Sequence, residues 1–268
     1  MTNPIELFQA GELTEAVAAA TTAVRLKPMD VKARSLLCEL LCFCGEFERA
    51  DKQLDATLQT DPQTMVGVSL LKHLIRSELS RREVYRQGRI PEFLTTPTES
   101  QKKRLEALLC VRSGQAGDAA RLANEATELD CGLSGEVDGL PFTEFVDLDD
   151  LLGPTLEVYT ATGKYFWIGF EQILNLEFNP VEHLSDMLWR AAAIETVGEI
   201  NGRIHVPALY ESSEKSTDQR IRIGRATEWI KADDAGPTRG AGQREFLVND
   251  DVVSIMQIRK LSFRSAAG

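Results

Sequence analysis

The chain has 268 residues, 43% hydrophobic and 26% charged, which is ordinary for a folded protein and enough to bury two modest cores. Its 41 acidic against 30 basic residues give a net charge of −11 and disfavour both nucleic acid and an anionic membrane surface, which are bound through clustered Lys and Arg. No apolar run approaches the roughly 20 residues that span a bilayer, so the easiest partner is neutral or basic polypeptide.

The opening Met1-Thr2-Asn3-Pro4-Ile5-Glu6 has neither a basic region nor an apolar one, so no secretory signal is expected. Five cysteines, mostly in apolar helical sequence, suit reduced thiols and a cytoplasmic location. The hexapeptide from Gly11 to Ala16 returns 34 residues later from Gly45 to Ala50, and Pro28 and Pro62 share that offset. A third copy runs from Gly114 to Ala119, about two further periods on. The intervening unit near Ser80 to Gly88 has lost the Gly/Ala signature. A period of 34 with small residues at fixed places predicts tetratricopeptide-like helical hairpins. Each Gly takes a left-handed cap, the Ala five residues on permits close helix approach, and Pro stops the second helix. Helices are predicted over Val31 to Cys44, Glu99 to Ser113 and Gln115 to Leu129, with Gly88 to Pro97 as a longer loop. The concave face of such a stack is the expected place for a bound peptide.

Three glycines and a proline between Cys131 and Pro141 mark a boundary. The expected organisation is therefore a helical repeat domain over 1–131, a linker over 132–141 and a β-rich domain over 142–268. Strands are predicted at Leu156 to Thr160 and Lys164 to Gly169, joined by an Ala161-Thr162-Gly163 turn. Further strands are predicted at Ile173 to Phe178, Met187 to Thr196, Arg203 to Leu209, Gln219 to Ile223 and Glu245 to Ile258. Asp233 to Gly242 reads as a mobile loop. The fold class is α+β, a tetratricopeptide-like αα superhelix followed by an antiparallel, barrel-like β domain.

Several strings in order across the chain carry a resemblance. They include Leu36 to Gly45 with Glu48-Arg49-Ala50-Asp51; Glu78 with Arg81 and Val84; Asp147 to Asp150 followed by Leu152-Gly153-Pro154 and Leu156-Glu157; Tyr165-Phe166-Trp167; Leu188-Trp189; and Gly224 to Trp229 with Gly242-Gln243-Arg244. On these the sequence resembles the ImpE family, also called TagJ, of type VI secretion accessory proteins. The resemblance implies a cytoplasmic, non-enzymatic adaptor. Its implied partner is the small subunit of the contractile sheath, contacted through that subunit's N-terminal helix. A link to the AAA+ ATPase that recycles the sheath is implied as well.

Candidate partner contacts are Tyr165, Trp167, Trp189 and Trp229, because Trp and Tyr dominate interface hot spots, and Arg225 and Arg244, which suit bidentate polar contacts. The competing reading makes most of the aromatics core and pairs the arginines with the acidic cluster Glu144, Asp147, Asp149 and Asp150. That cluster otherwise reads as turn capping. Cys38, Cys42 and Cys44 are read as core thiols, so no metal is expected, and no cofactor motif is present. The alternative function is a hydrolase using Asp147 or Asp150 with His183 or His205, which requires these groups to converge in one pocket.

Overall fold

The computed structural model describes residues 3–198, 201–233 and 235–264. Residues 1–2 of the expected helical domain, residue 234 of the expected loop, and residues 199–200 and 265–268 of the expected β-rich domain lie outside these. Four short helices come first: α1 (Pro4–Ala10), α2 (Leu13–Leu26), α3 (Val31–Phe43) and α4 (Phe47–Thr60). Asn3 opens α1 and Asp30 opens α3, each side chain accepting a hydrogen bond from a first-turn N–H. Gly11, Gly45 and Gly114 all adopt the left-handed conformation. Ala16, Ala50 and Ala119 are fully buried at the helix contacts. The repeat motif thus folds as its small residues dictate.

The unit with the decayed signature is not a hairpin. With no Gly or Pro between Val68 and Gln87 to break it, Met65–Gln87 continues as one 23-residue helix, α5, ending at left-handed Gly88. Val68, Leu74, Ile75, Arg81, Val84 and Tyr85 form its buried stripe. The loop that follows contains a two-residue strand, β1 (Glu92–Phe93). A reciprocal Thr98–Gln101 capping box then starts α6 (Glu99–Arg112), which pairs with α7 (Ala116–Glu128).

The strands are β2 (Gly135–Val137), β3 (Leu140–Phe142), β4 (Phe145–Asp147), β5 (Thr155–Thr160), β6 (Tyr165–Gly169), β7 (Ile173–Phe178), β8 (Trp189–Thr196) and β9 (Gly202–Pro207). After a short helix, α8 (Gln219–Arg222), come β10 (Thr227–Ile230), β11 (Arg239–Gly242), β12 (Glu245–Val248), β13 (Asp251–Ser254) and β14 (Lys260–Phe263). Nine of them form one sheet in the order β1-β6-β5-β9-β8-β7-β14-β2-β3. Every pairing is antiparallel except β1 with β6. The ladder runs open from β1 to β3, without the pairing between them, among the described residues, that closes a barrel. β13-β12-β4 and β10-β11 form two smaller sheets.

Four sequence expectations change. The supposed linker at 132–141 holds β2 and the start of β3, and Gly135 is needed there because a Cβ would strike the Ser262 carbonyl. Gln219 to Ile223 is helical, its alternating pattern overridden by the Asp218 cap on the Arg220 N–H. Glu245 to Ile258 splits into a hairpin at left-handed Asn249. The loop from Asp233 ends in β11, paired with β10.

Two apolar cores lie on either side of the large sheet. Along β6, Tyr165 and Trp167 face the helices while Phe166 and Ile168 join the opposite core, as strand alternation requires. Leu37, Leu40 and Leu41 of α3 and Leu74 of α5 share one cluster with Tyr159, Trp167, Trp189 and Tyr210. The chain's own sheet therefore covers the α3 and α5 face of the repeat stack, the kind of face expected to stay open for a peptide. Among the described residues no helix is long and apolar enough to cross a membrane.

Candidate functional site

Charged side chains meet where α5 crosses the sheet. Glu157 stands in the middle of β5 between apolar Leu156 and Val158 and is completely buried. Arg81 of α5 grips it with two bonds, Nε to Oε1 at 2.8 Å and Nη2 to Oε2 at 2.7 Å. The Tyr165 hydroxyl donates to Oε1 at 2.5 Å, the Tyr85 hydroxyl at 3.2 Å, and Arg244 donates to Oε2 from the other side. Trp167 Nε1 donates to the Tyr165 oxygen at 2.5 Å, extending the network. One turn earlier on α5, Glu78 accepts from Tyr159 at 2.5 Å and Trp189 at 3.2 Å.

Arg244 also lies 3.2 Å from Asp147, at ion-pair distance though without hydrogen-bond alignment. Asp147 accepts from the Tyr210 hydroxyl at 3.1 Å and the Asp149 N–H at 2.9 Å. Asp149 takes Arg239 Nε at 3.0 Å and the Gly240 N–H at 3.1 Å. Burial alone pushes the Glu157 carboxyl up, but the Arg81 and Arg244 guanidiniums and their hydrogen bonds outweigh it and hold it at about 2. For Asp147 burial wins over Arg244, and with Asp149 nearby its carboxyl rises to about 7. Burial likewise depresses His205 on β9 to about 4.

This constellation is a clamp. It joins α5 to β4, β5, β6 and the stretch at Arg239–Arg244 through buried partners, Arg239 being the partly exposed one. Removing one member leaves an uncompensated buried charge. Its centre is Glu157, with Arg81 and Glu78, rather than the aromatics. A lone acid inside an otherwise apolar strand was the available sequence signal.

The candidate contacts divide accordingly. Tyr165, Trp167, Trp189 and Arg244 are all buried, so they hold the clamp and the core and do not reach a partner. Trp229 alone of the aromatics is exposed, its ring 5.7 Å from Tyr210. Arg225 is exposed and donates to the Gln9 carbonyl at the end of α1, a polar contact within the chain. Cys38 and Cys42 are buried in α3 and Cys44 half-buried after it. The hydrolase grouping does not assemble around a shared opening. Asp147 is buried against Arg244, and exposed Asp150 accepts the Thr238 N–H at 2.6 Å. His205 is buried on β9, while His183 is exposed ahead of β8.

Fold and clamp together define a helical-repeat protein whose stack is locked onto a strand-rich layer. Tetratricopeptide repeats match residues 7–72, and the ImpE protein family matches residues 139–262. The "Type VI secretion system accessory component TagJ" of Pseudomonas aeruginosa is 30% identical over 258 residues, spanning 96% of this chain and 90% of that protein. The crystal structure of VPA1032 from Vibrio parahaemolyticus superposes with a TM-score of 0.91 at 27% identity, covering 98% of both chains. The chain belongs to the ImpE/TagJ family.

Proposed function

We propose that the chain is a non-enzymatic, cytoplasmic accessory component of a type VI secretion machine. It holds the small contractile-sheath subunit through that subunit's N-terminal helix and so influences sheath recycling by the AAA+ ATPase. The observation that carries this reading is the similarity to TagJ, which runs through both the helical and the strand-rich halves. The architecture supports it: two layers clamped by buried ion pairs make a rigid body suited to presenting a surface. Because the sheet covers the α3 and α5 face, the helix is received on the outer surface. There Leu26 at the last position of α2, Met29 beyond it, and Met65 and Val66 at the start of α5 are exposed. These lie at or just beyond the ends of α2 and α4, and the up-down path of the hairpins brings both to the same end of the stack. An amphipathic helix docks on such a surface through apolar anchors.

Co-precipitation with recombinant sheath subunit, intact and lacking its first residues (about twenty, a helix of ~30 Å), tests this reading. Recovery of the intact form alone is expected. Equal recovery of both forms, or of neither, contradicts it.

A further inference from the structure

A second feature lies away from the clamp, where the chain leaves α7 and returns to the sheet. Here a cleft of about 190 Å³ opens between the first turn of α6, the segment around Leu129–Leu133 and the strand ends at Thr155 and Gly169. It is smaller than the ~300 Å³ at which small-molecule sites begin, and closer to a single side chain in size.

Two side chains on its wall carry a polar atom with no hydrogen-bond partner among the described residues, and a third group is a carboxylate without a cation. Gln101 is 4% exposed; its Oε1 accepts the Thr98 N–H at 3.1 Å in the capping box, leaving Nε2 buried with no acceptor. Thr155 is 1% exposed and its hydroxyl is unpaired. Buried donors left unmet are uncommon in folded proteins and point to a missing acceptor. The third group is Glu171, whose carboxylate accepts from its own backbone N–H but has no cation beside it among the described residues. Its carboxylate folds back over Gly169, into space that any Cβ there would occupy. The residue as a whole is exposed, yet the enclosure of its carboxyl, with Asp130 nearby, pushes the group above the ordinary carboxylate value. Asp130 cannot be relieved in the same way, because Arg104 and Ser100 already hold it. Between these groups the wall is apolar, formed by Leu129, Leu133 and Pro154.

We propose that this cleft receives a lysine or arginine side chain presented by a partner polypeptide. The aliphatic stem lies along Leu129, Leu133 and Pro154, as long cationic side chains do on apolar surface. The cation meets Glu171. Gln101 Nε2 and the Thr155 hydroxyl, closed off from solvent beneath the wall, turn outward to donate to a carbonyl of the same segment as it docks. An anion is repelled by Glu171 and Asp130, and a neutral apolar group leaves Glu171 unpaired. The chain's net charge of −11 favours the same kind of partner at longer range. This proposal rests on the reading that the chain holds a polypeptide, but its test does not use the sheath subunit. Failure of either can therefore be told from failure of the other.

Exposed Cys131 lines the cleft and reports its occupancy. The rate of Cys131 alkylation in the full chain is followed by mass spectrometry. The peptides added are acetylated, amidated Ala-Ala-Lys-Ala-Ala or its analogues with norleucine or Glu at the centre. The lysine peptide is expected to protect Cys131 at concentrations about tenfold lower than the norleucine peptide, the size of one charge-assisted hydrogen bond. The Glu peptide should give no protection. Glu171→Gln should abolish the preference for lysine without lowering the melting temperature, since no internal ion pair is lost. Equal protection by lysine and norleucine peptides, persistence of the preference in Glu171→Gln, or no protection by any peptide overturns the proposal.

Discussion

Replacing Glu157 with glutamine keeps the side chain's shape and removes the charge on which the clamp converges. Arg81 and Arg244 then remain buried with too little negative charge to face. The depression of Glu157 from an ordinary 4.5 to about 2 corresponds to ~3 kcal/mol of stability at neutral pH, at about 1.4 kcal/mol per pH unit. Breaking one partner out of a buried ion pair has a similar measured cost of about 3–5 kcal/mol. In a chain of this length that loss lowers the melting temperature by roughly 6–12 °C. Urea unfolding at pH 7, followed by circular dichroism, measures it. The sign with pH is fixed: a depressed carboxyl contributes fully above 4.5, and its contribution is lost as the pH falls through about 2. Wild type and variant should therefore converge in acid. Glu92→Gln, which breaks the exposed 2.9 Å pair with Lys164, is the control and should lose less than about 1 kcal/mol. A Glu157→Gln loss below about 1 kcal/mol, or one that persists unchanged toward pH 2, refutes the clamp.

Further outcomes follow from the same contacts. His205, ordinarily near 6.5 and depressed to about 4, contributes stability present above pH 6.5 and lost as the pH falls through 4. Replacing it with asparagine should flatten the stability profile across that interval in denaturant titrations run at successive pH values. Gly114 and Gly45 share a φ of +71°, but a Cβ at Gly114 meets nothing within 4 Å, whereas one at Gly45 strikes Arg82 and Glu214. Gly114→Ala should lose about 1 kcal/mol from backbone strain alone, and Gly45→Ala measurably more, by urea midpoint. Ala50→Leu, at a fully buried helix contact, should lose about 1–3 kcal/mol by overpacking, measured the same way.

The helical hairpins were legible because their determinants are local. Gly11, Gly45 and Gly114 need left-handed backbone, and Ala16, Ala50 and Ala119 need to be small, whatever the rest of the chain does. Strands β5, β6, β7 and β9 were legible for a similar reason, since each short apolar run ends in turn residues. The order of the sheet was not legible. Pairing β14 with both β7 and β2 joins residues far apart in the chain, and no period encodes it. α8 was misread because Arg220-Ile221-Arg222-Ile223 alternates like a strand, while one Asp218 side chain decides for a helix. The aromatics expected at a surface are mostly inside, because their hydroxyl and indole donors satisfy Glu157 and Glu78, two acids whose burial depends on an interface between elements about 80 residues apart. Arg244 was visible as a partner for the acidic cluster, and Asp147 is indeed beside it. Its second anion, Glu157, was not.

The claim on which the rest depends is that this rigid two-layer body grips the front helix of the sheath subunit. Calorimetric titration with a synthetic peptide of that helix, at physiological salt, measures it most directly. A saturable heat with a Kd in the micromolar range, weakened at least tenfold by Met65→Asp with Val66→Asp, is the predicted result. No saturable binding up to about 1 mM, or binding that ignores both substitutions, would contradict the account.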